Sequence, residues 1–172
     1  VTPVRGDLSD AEVLWDAVRD VDVVYHVAGL TRAQEWDAFY QANVQATLNL
    51  VGALRHANPD VGRVLITSSL AAVGRCADDI ATEETPLQPI SMYGRSKAEM
   101  EEALRAKHEM RQPYMEQLPI TIVRPPAVYG PRDRDILTFF QAVKRHVCPV
   151  IGRGDAPAIS LVHVRDLVRG MV

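Results

Sequence analysis

The stretch "VDVVYHVAG", residues 21–29, decides the fold. It is a nearly continuous β-branched run closed by Gly29, without the alternation of a half-exposed strand or the period of a surface helix. It reads as a strand buried on both faces, as in a parallel sheet. Two further runs read alike: "GRVLITSS" (62–69) and "LPITIVRPP" (118–126), the latter closed by a proline pair that neither a helix nor a central strand can continue. Between the first two, apolar residues recur at helical spacing from Trp36 to about His56, and "NPD" acts as a stop. After the polar loop with "EETPLQP", Ser91 is placed to cap a helix carrying "YGRSKAEMEEALRAKHEM" (93–110). Strand, helix, strand, helix, strand predicts an α/β fold. Its core would be a doubly wound, Rossmann-like parallel sheet with helices on both faces.

Past Gly130 the rhythm changes. "PRDRDILTFFQAVKRH" reads as a helix, "CPVIGRGDAPAISLVHV" as short extended pieces around a turn, and "VRDLVRGMV" as the opening of a last helix. We therefore expect a main unit over 1–130, part of a small lobe over 131–162, and from 163 to 172 a helix returning to the main unit. Both ends read as cut: "VTPVRGDLSD" resembles a strand tail running into a loop, and Val172 falls inside an amphipathic helix. A doubly wound sheet normally opens with a glycine-rich turn that receives a pyrophosphate on a helix N-terminus. The ten glycines supply no such pattern, and Gly152-Arg-Gly154 precedes no helix and reads as a turn. The expectation is a chain without its front.

Composition narrows the function. The 172 residues are 47% apolar and 24% charged with a net charge of −3, ordinary for a soluble domain and no electrostatic case for nucleic acid or an anionic membrane. No apolar run reaches the length of a membrane span, and the N-terminus has neither signal-peptide nor transit-peptide character. Cys76 and Cys148 lie far apart with no metal-ligand spacing, which suggests reduced packing residues in a cytoplasmic protein. The five histidines form no sequence cluster, so no metal is expected.

Tyr93 and Lys97 carry the chemistry. Four residues apart on a helix, they share a face. A phenol is a poor base at neutral pH, and a neighbouring ammonium favours its phenolate. Such a pair can exchange a proton with a substrate hydroxyl while a cofactor moves the hydride. The spacing alone also fits the polar rim of an amphipathic helix. Ser68 and Ser69 end the second strand, where ligands of such sheets bind. A serine there could hold a substrate oxygen, or the two hydroxyls could simply cap the strand.

Seven segments in order decide between these readings: "RGDLSD", "VDVVYHVAG", "NVQATLNLVGAL", "VLITSSLAAVG", "YGRSKAEME", "VRPPAVYGPRDRD" and "LVHVRDLV". Over nearly its whole length the chain resembles the extended short-chain dehydrogenase/reductase superfamily, and within it the NAD-dependent epimerase/dehydratase family. The resemblance implies NAD or NADP as cofactor and a small-molecule substrate. Asp7 and Leu8 match the loop that meets the adenine. Val27, Ala28 and Gly29 match the strand end lining the nucleotide cleft, and Asn43 opens the family's segment near the active-site helix. Ser69 matches the catalytic serine, Tyr93 the proton donor or acceptor, and Lys97 the residue that binds the nicotinamide ribose and tunes the tyrosine. Pro125 to Val128 match the segment flanking the nicotinamide, and Tyr129 is assigned to the substrate. The helix carrying Tyr93 is, in the family, the usual homodimer contact. Its apolar positions Met100, Leu104 and Met110 suit a core equally well.

The chain departs from the family at three points: the glycine-rich turn, most of the C-terminal lobe, and Val73, where many sugar-nucleotide epimerases have tyrosine before Gly74. The last shifts weight toward the reductase and hydroxysteroid-dehydrogenase-like branches. A non-catalytic NAD(P)-sensing or scaffold protein on the same fold is the competing reading, as is an inactive fragment. The retention of Ser69, Tyr93 and Lys97 argues against a scaffold. Lacking a pyrophosphate site, the 172 residues alone are expected to bind NAD(H) weakly in a calorimetric titration.

Overall fold

The computed structural model describes residues 2–76, 80–107, 112–147 and 159–172; Met110, Cys148 and the Gly152–Gly154 turn lie outside them. The chain forms two compact units, Val1–Arg124 and Pro125–Val172.

The first unit begins with a helix that the sequence reading did not place. Asp10 accepts the Val13 amide at 3.2 Å and starts α1 (Ala11–Val18), which buries Leu14 and Val18 one turn apart. Strand β1 (Val23–His26) follows, then a continuous helical segment: α2 (Trp36–Phe39), six residues of π-helix (Tyr40–Gln45) and α3 (Ala46–Ala57). Next come β2 (Arg63–Thr67) and one 3₁₀ turn (Leu70–Ala72). Helix α4 (Met92–Arg105) starts at Ser91, whose hydroxyl accepts the Gly94 amide at 3.0 Å. It ends at Arg105, short of the span read from the sequence. The unit closes with α5 (Tyr114–Gln117) and β3 (Ile120–Val123).

The sheet is parallel, in the order β1-β2-β3, with Val24 beside Val64 and Val64 beside Ile120. This is a Rossmann-like arrangement. Val64 and Ile66 join one core with Leu14 and Val18 of α1, Leu50, Val51 and Leu54 of α3, and Met100 and Leu104 of α4. Each fully buried aliphatic side chain contributes about 1.5–3 kcal/mol. Met100 and Leu104 are thus core residues, and any contact made by α4 with another chain would use its other face. On β1 the alternate residues Val23 and Tyr25 are each 43% exposed and Val27 is 63% exposed. The strand read as buried on both faces is therefore covered on one, among the described residues.

In the second unit β4 (Ala127–Tyr129) pairs in parallel with β5 (Leu161–His163). Between them lies α6 (Asp135–Lys144), capped by Asp133, and α7 (Val164–Met171) follows β5 directly.

Candidate functional site

Lys97 is the best-defined feature of the site. It is 5% exposed, and its ammonium donates to the Thr67 carbonyl, the last residue of β2, at 2.9 Å. A methyl group at Gly29 would sit 3.2 Å from the same nitrogen and 2.9 Å from Asn43 Oδ1. The ammonium is therefore held beyond the carboxyl ends of β1 and β2, and a side chain at Gly29 would crowd it and the Asn43 amide. Burial lowers its pKa to about 8 against the opposing pull of Glu101.

Asn43 lies in the π-helical segment and is fully buried. Its Oδ1 accepts the Leu30 amide at 2.7 Å, and its Nδ2 donates to the Leu30 carbonyl at 2.9 Å and to Ser96 Oγ at 2.8 Å. Ser96 in turn donates to the Tyr93 carbonyl at 2.8 Å. One amide thus ties the loop after β1 to the first turns of α4. Widened turns of this kind occur often at functional sites, because they re-aim side chains that a regular helix would misplace.

Tyr93, half-buried in the first turn of α4, has its ring 6.4 Å from that of Phe39. Next to it, a methyl group at Gly94 would lie 2.3 Å from the Ala71 carbonyl oxygen. The absence of a side chain there brings the 70–72 turn onto the start of α4. Ser69 opens that turn, its Oγ accepting the Ala71 amide at 3.1 Å and keeping its own proton for another acceptor. The two serines therefore differ: Ser68 is buried and donates to Glu101 Oε1 at 2.6 Å.

Glu101 is the residue the sequence reading missed. Fully buried on α4, it takes hydrogen bonds from Ser68, from Arg105 at 2.9 Å and from Arg124 at 2.7 Å. Burial pushes its pKa up, but the donors, Arg124 foremost, outweigh this and hold it below the usual range. It clamps the ends of β2 and β3 to α4. The Arg105 pair is an ordinary i,i+4 contact on a helix surface, and the partners that mark Glu101 out, Ser68 and Arg124, lie far away along the chain.

A cavity of about 600 Å³ adjoins this centre, lined by Asp7, Leu8, Ala28 and Gly29 on one side and by Gln45 and Asn49 on the other. Asp7 Oδ1 accepts the Ser9 hydroxyl at 2.7 Å and the Ser9 amide at 2.8 Å, which lowers its pKa. Asn49, also missed, donates to the Leu8 carbonyl at 2.9 Å and fixes that loop on α3. Four of the residues matched to the cofactor thus share one cavity; Val27 is exposed outside its lining. Pro125, Val128 and Tyr129 belong to the second unit. There Pro125 is buried, Val128 pairs with Val162, and the Tyr129 ring packs edge-on to His163 at 5.2 Å. Among the described residues no group of three or more His, Cys, Asp or Glu could hold a metal, and no helix is long and apolar enough to cross a membrane.

A parallel sheet whose small-residue strand end lines a nucleotide-sized cleft, with the buried Lys97 beside Gly29, defines the Rossmann-like α/β class. The family model for the NAD dependent epimerase/dehydratase family matches residues 1–172, and the chain belongs to that family. The chain is 32% identical over its full length to a ceramide reductase of Caulobacter vibrioides, covering 46% of that protein. It is 30% identical over 96% of its length to sterol demethylase protein B of Methylococcus capsulatus, covering 53% of it. Among solved structures, the dTDP-glucose 4,6-dehydratase of Streptomyces venezuelae, with NAD bound, superposes with a TM-score of 0.78 at 30% identity, over 96% of this chain and 52% of that one. The chain thus spans about half the length of the relatives it matches.

Proposed function

We infer that this chain forms the reaction centre of an NAD(P)-dependent oxidoreductase or epimerase that acts on a secondary alcohol or ketone of a small molecule. The observation that carries the reading is the buried Lys97 ammonium on the Thr67 carbonyl, one helical turn from Tyr93. The cleft fits the cofactor: it is of nucleotide size, and a side chain at Gly29, which lines it, would crowd Asn43 Oδ1 and the Lys97 ammonium. By the resemblance Asp7 and Leu8 would meet the adenine, Val27, Ala28 and Gly29 form the strand end along the nucleotide, Asn43 stands near the active-site helix and Lys97 takes the nicotinamide ribose; of these Asp7, Leu8, Ala28 and Gly29 line the cavity. Pro125 and Val128 are assigned to the nicotinamide end, and Tyr129 to the substrate, by the resemblance. When bound, the nicotinamide accepts or returns a hydride.

Every other step falls to side chains of the chain itself. Tyr93 takes or returns the proton of the substrate hydroxyl, Lys97 stabilises its phenolate, and the free Ser69 proton holds the substrate oxygen. Small-molecule reductases and dehydratases among the relatives support this class, and Val73 before Gly74 favours the reductase side. A homodimer through the exposed face of α4 and a cytoplasmic location belong to the same proposal.

The test uses the protein as its gene encodes it. Tyr93→Phe should keep NADH affinity and lose turnover by about 10²–10⁴-fold, the range of a lost general acid–base. Lys97→Met should lose both. Equal turnover in Tyr93→Phe and wild type would reject the mechanism.

A further inference from the structure

His26 has no part in the mechanism above, yet it is a buried imidazole, 5% exposed, at the last position of β1. Its Nε2 lies 2.8 Å from Thr47 Oγ1, and that hydroxyl donates to the Asn43 carbonyl at 2.9 Å. A hydroxyl has one proton to give. Because Thr47 gives it to Asn43, the bond from the imidazole runs from Nε2–H to the Thr47 oxygen. The chain of donors has one direction: His26 to Thr47 to the backbone of the π-helical segment. From there the Asn43 amide continues to Leu30, to Ser96 and so to the Tyr93 carbonyl. Burial, with Lys97 as the charged group acting on the ring, lowers the His26 pKa to about 4, so the imidazole is neutral near pH 7. In that state the Nε2–H tautomer fits the donor chain.

We propose that His26 is a positioning residue for the reaction centre. Through Thr47 it holds the widened turn at the register that seats Asn43 between Leu30 and Ser96, and so fixes the first turns of α4, with Tyr93 and Lys97, against the end of β1. This rests on the reading of Tyr93 and Lys97 as the reacting pair. A core histidine that merely filled space would be replaceable by any side chain that keeps the fold. A positioning histidine is replaceable only by one that gives a proton to Thr47.

Two measurements on the protein as its gene encodes it decide this. The first is ¹⁵N NMR of labelled histidine, which should show His26 as the neutral Nε2–H tautomer at pH 7. An Nδ1–H tautomer or an imidazolium would overturn the proposal. The second is NADH affinity by fluorescence titration, with thermal melting as a check on folding. His26→Leu and Thr47→Val each break the chain and should weaken NADH binding about tenfold. His26→Gln and Thr47→Ser keep a donor at each link and should recover to within about threefold. The double variant His26→Leu/Thr47→Val should bind no worse than the weaker single one, since both remove the same chain. Should His26→Leu fail to fold, the Thr47→Val and Thr47→Ser pair carries the test. Wild-type affinity in the chain-breaking variants, with binding lost in Lys97→Met, overturns the positioning role alone. Wild-type affinity in Lys97→Met overturns the functional reading and this proposal with it.

Discussion

His26 and Lys97 are two cationic side chains by nature, buried within reach of one another's charge. Burial lowers the pKa of each, to about 4 and about 8. The sign of the linkage follows. Between pH 6.5 and 4 the unfolded chain protonates its histidine before the folded chain does, so stability falls as pH falls. Between pH 8 and 10.5 the unfolded chain keeps a lysine proton that the folded chain has released, so stability rises with pH on this account. Each window carries up to about 3 kcal/mol. Chemical denaturation across pH should show the acid loss in wild type and a much smaller one in His26→Gln, which cannot be protonated. Identical acid limbs would mean that His26 titrates normally in the folded protein.

Helix α4 is held at both ends by contacts that a helical wheel does not reveal. In a free helix Gly94→Ala would gain about 1 kcal/mol. Here the new methyl would meet the Ala71 carbonyl at 2.3 Å, and backbone cannot give way cheaply. We expect a net loss of about 1–3 kcal/mol by thermal melting, with Tyr93 displaced and turnover reduced. At the Glu101 clamp, Arg124→Met leaves a buried carboxylate without its main partner and should cost about 3–5 kcal/mol in urea unfolding. The double change Glu101→Met/Arg124→Met should recover much of it, because no charge is left stranded. These contacts also mark what the sequence could show. Strands β1, β2 and β3 are legible because each lies in a continuous apolar run with a clear stop, the helical segment from Trp36 because apolar residues recur at helical spacing, and that from Ser91 by its cap. The start of α1 is legible as well, in Asp10 and the Leu14–Val18 spacing, although the strand tail and loop read from the sequence stop at Asp10 and no element is placed after them. Strand β4 is three residues long, too short to show any period. Tyr93, Lys97 and Ser69 stand out by residue type and motif. Glu101, Asn49 and His26 do not, because the partners that fix their roles (Ser68 and Arg124, Leu8, and Thr47) lie twenty or more residues away and only folding brings them together.

The first unit contains the whole of the apolar cluster, whereas in the second only Pro125 and Met171 among the described residues are buried. Local opening should follow that difference. In native-state hydrogen exchange the β2 amides, paired on both sides, should be the slowest, and those of β4 and β5 should exchange well before them. Equal protection of the two sheets would contradict this account. Parallel pairing also imposes an order in time. Val64 is flanked by Val24, made long before it, and by Ile120, made long after. During synthesis, therefore, one edge of β2 waits unpaired while more than fifty residues emerge from the ribosome, presenting Val-Leu-Ile to any neighbouring nascent chain. The strand that becomes the best protected in the finished molecule is thus the one at greatest risk of aggregation during its making, and the rate of translation between Thr67 and Ile120 sets how long that risk lasts.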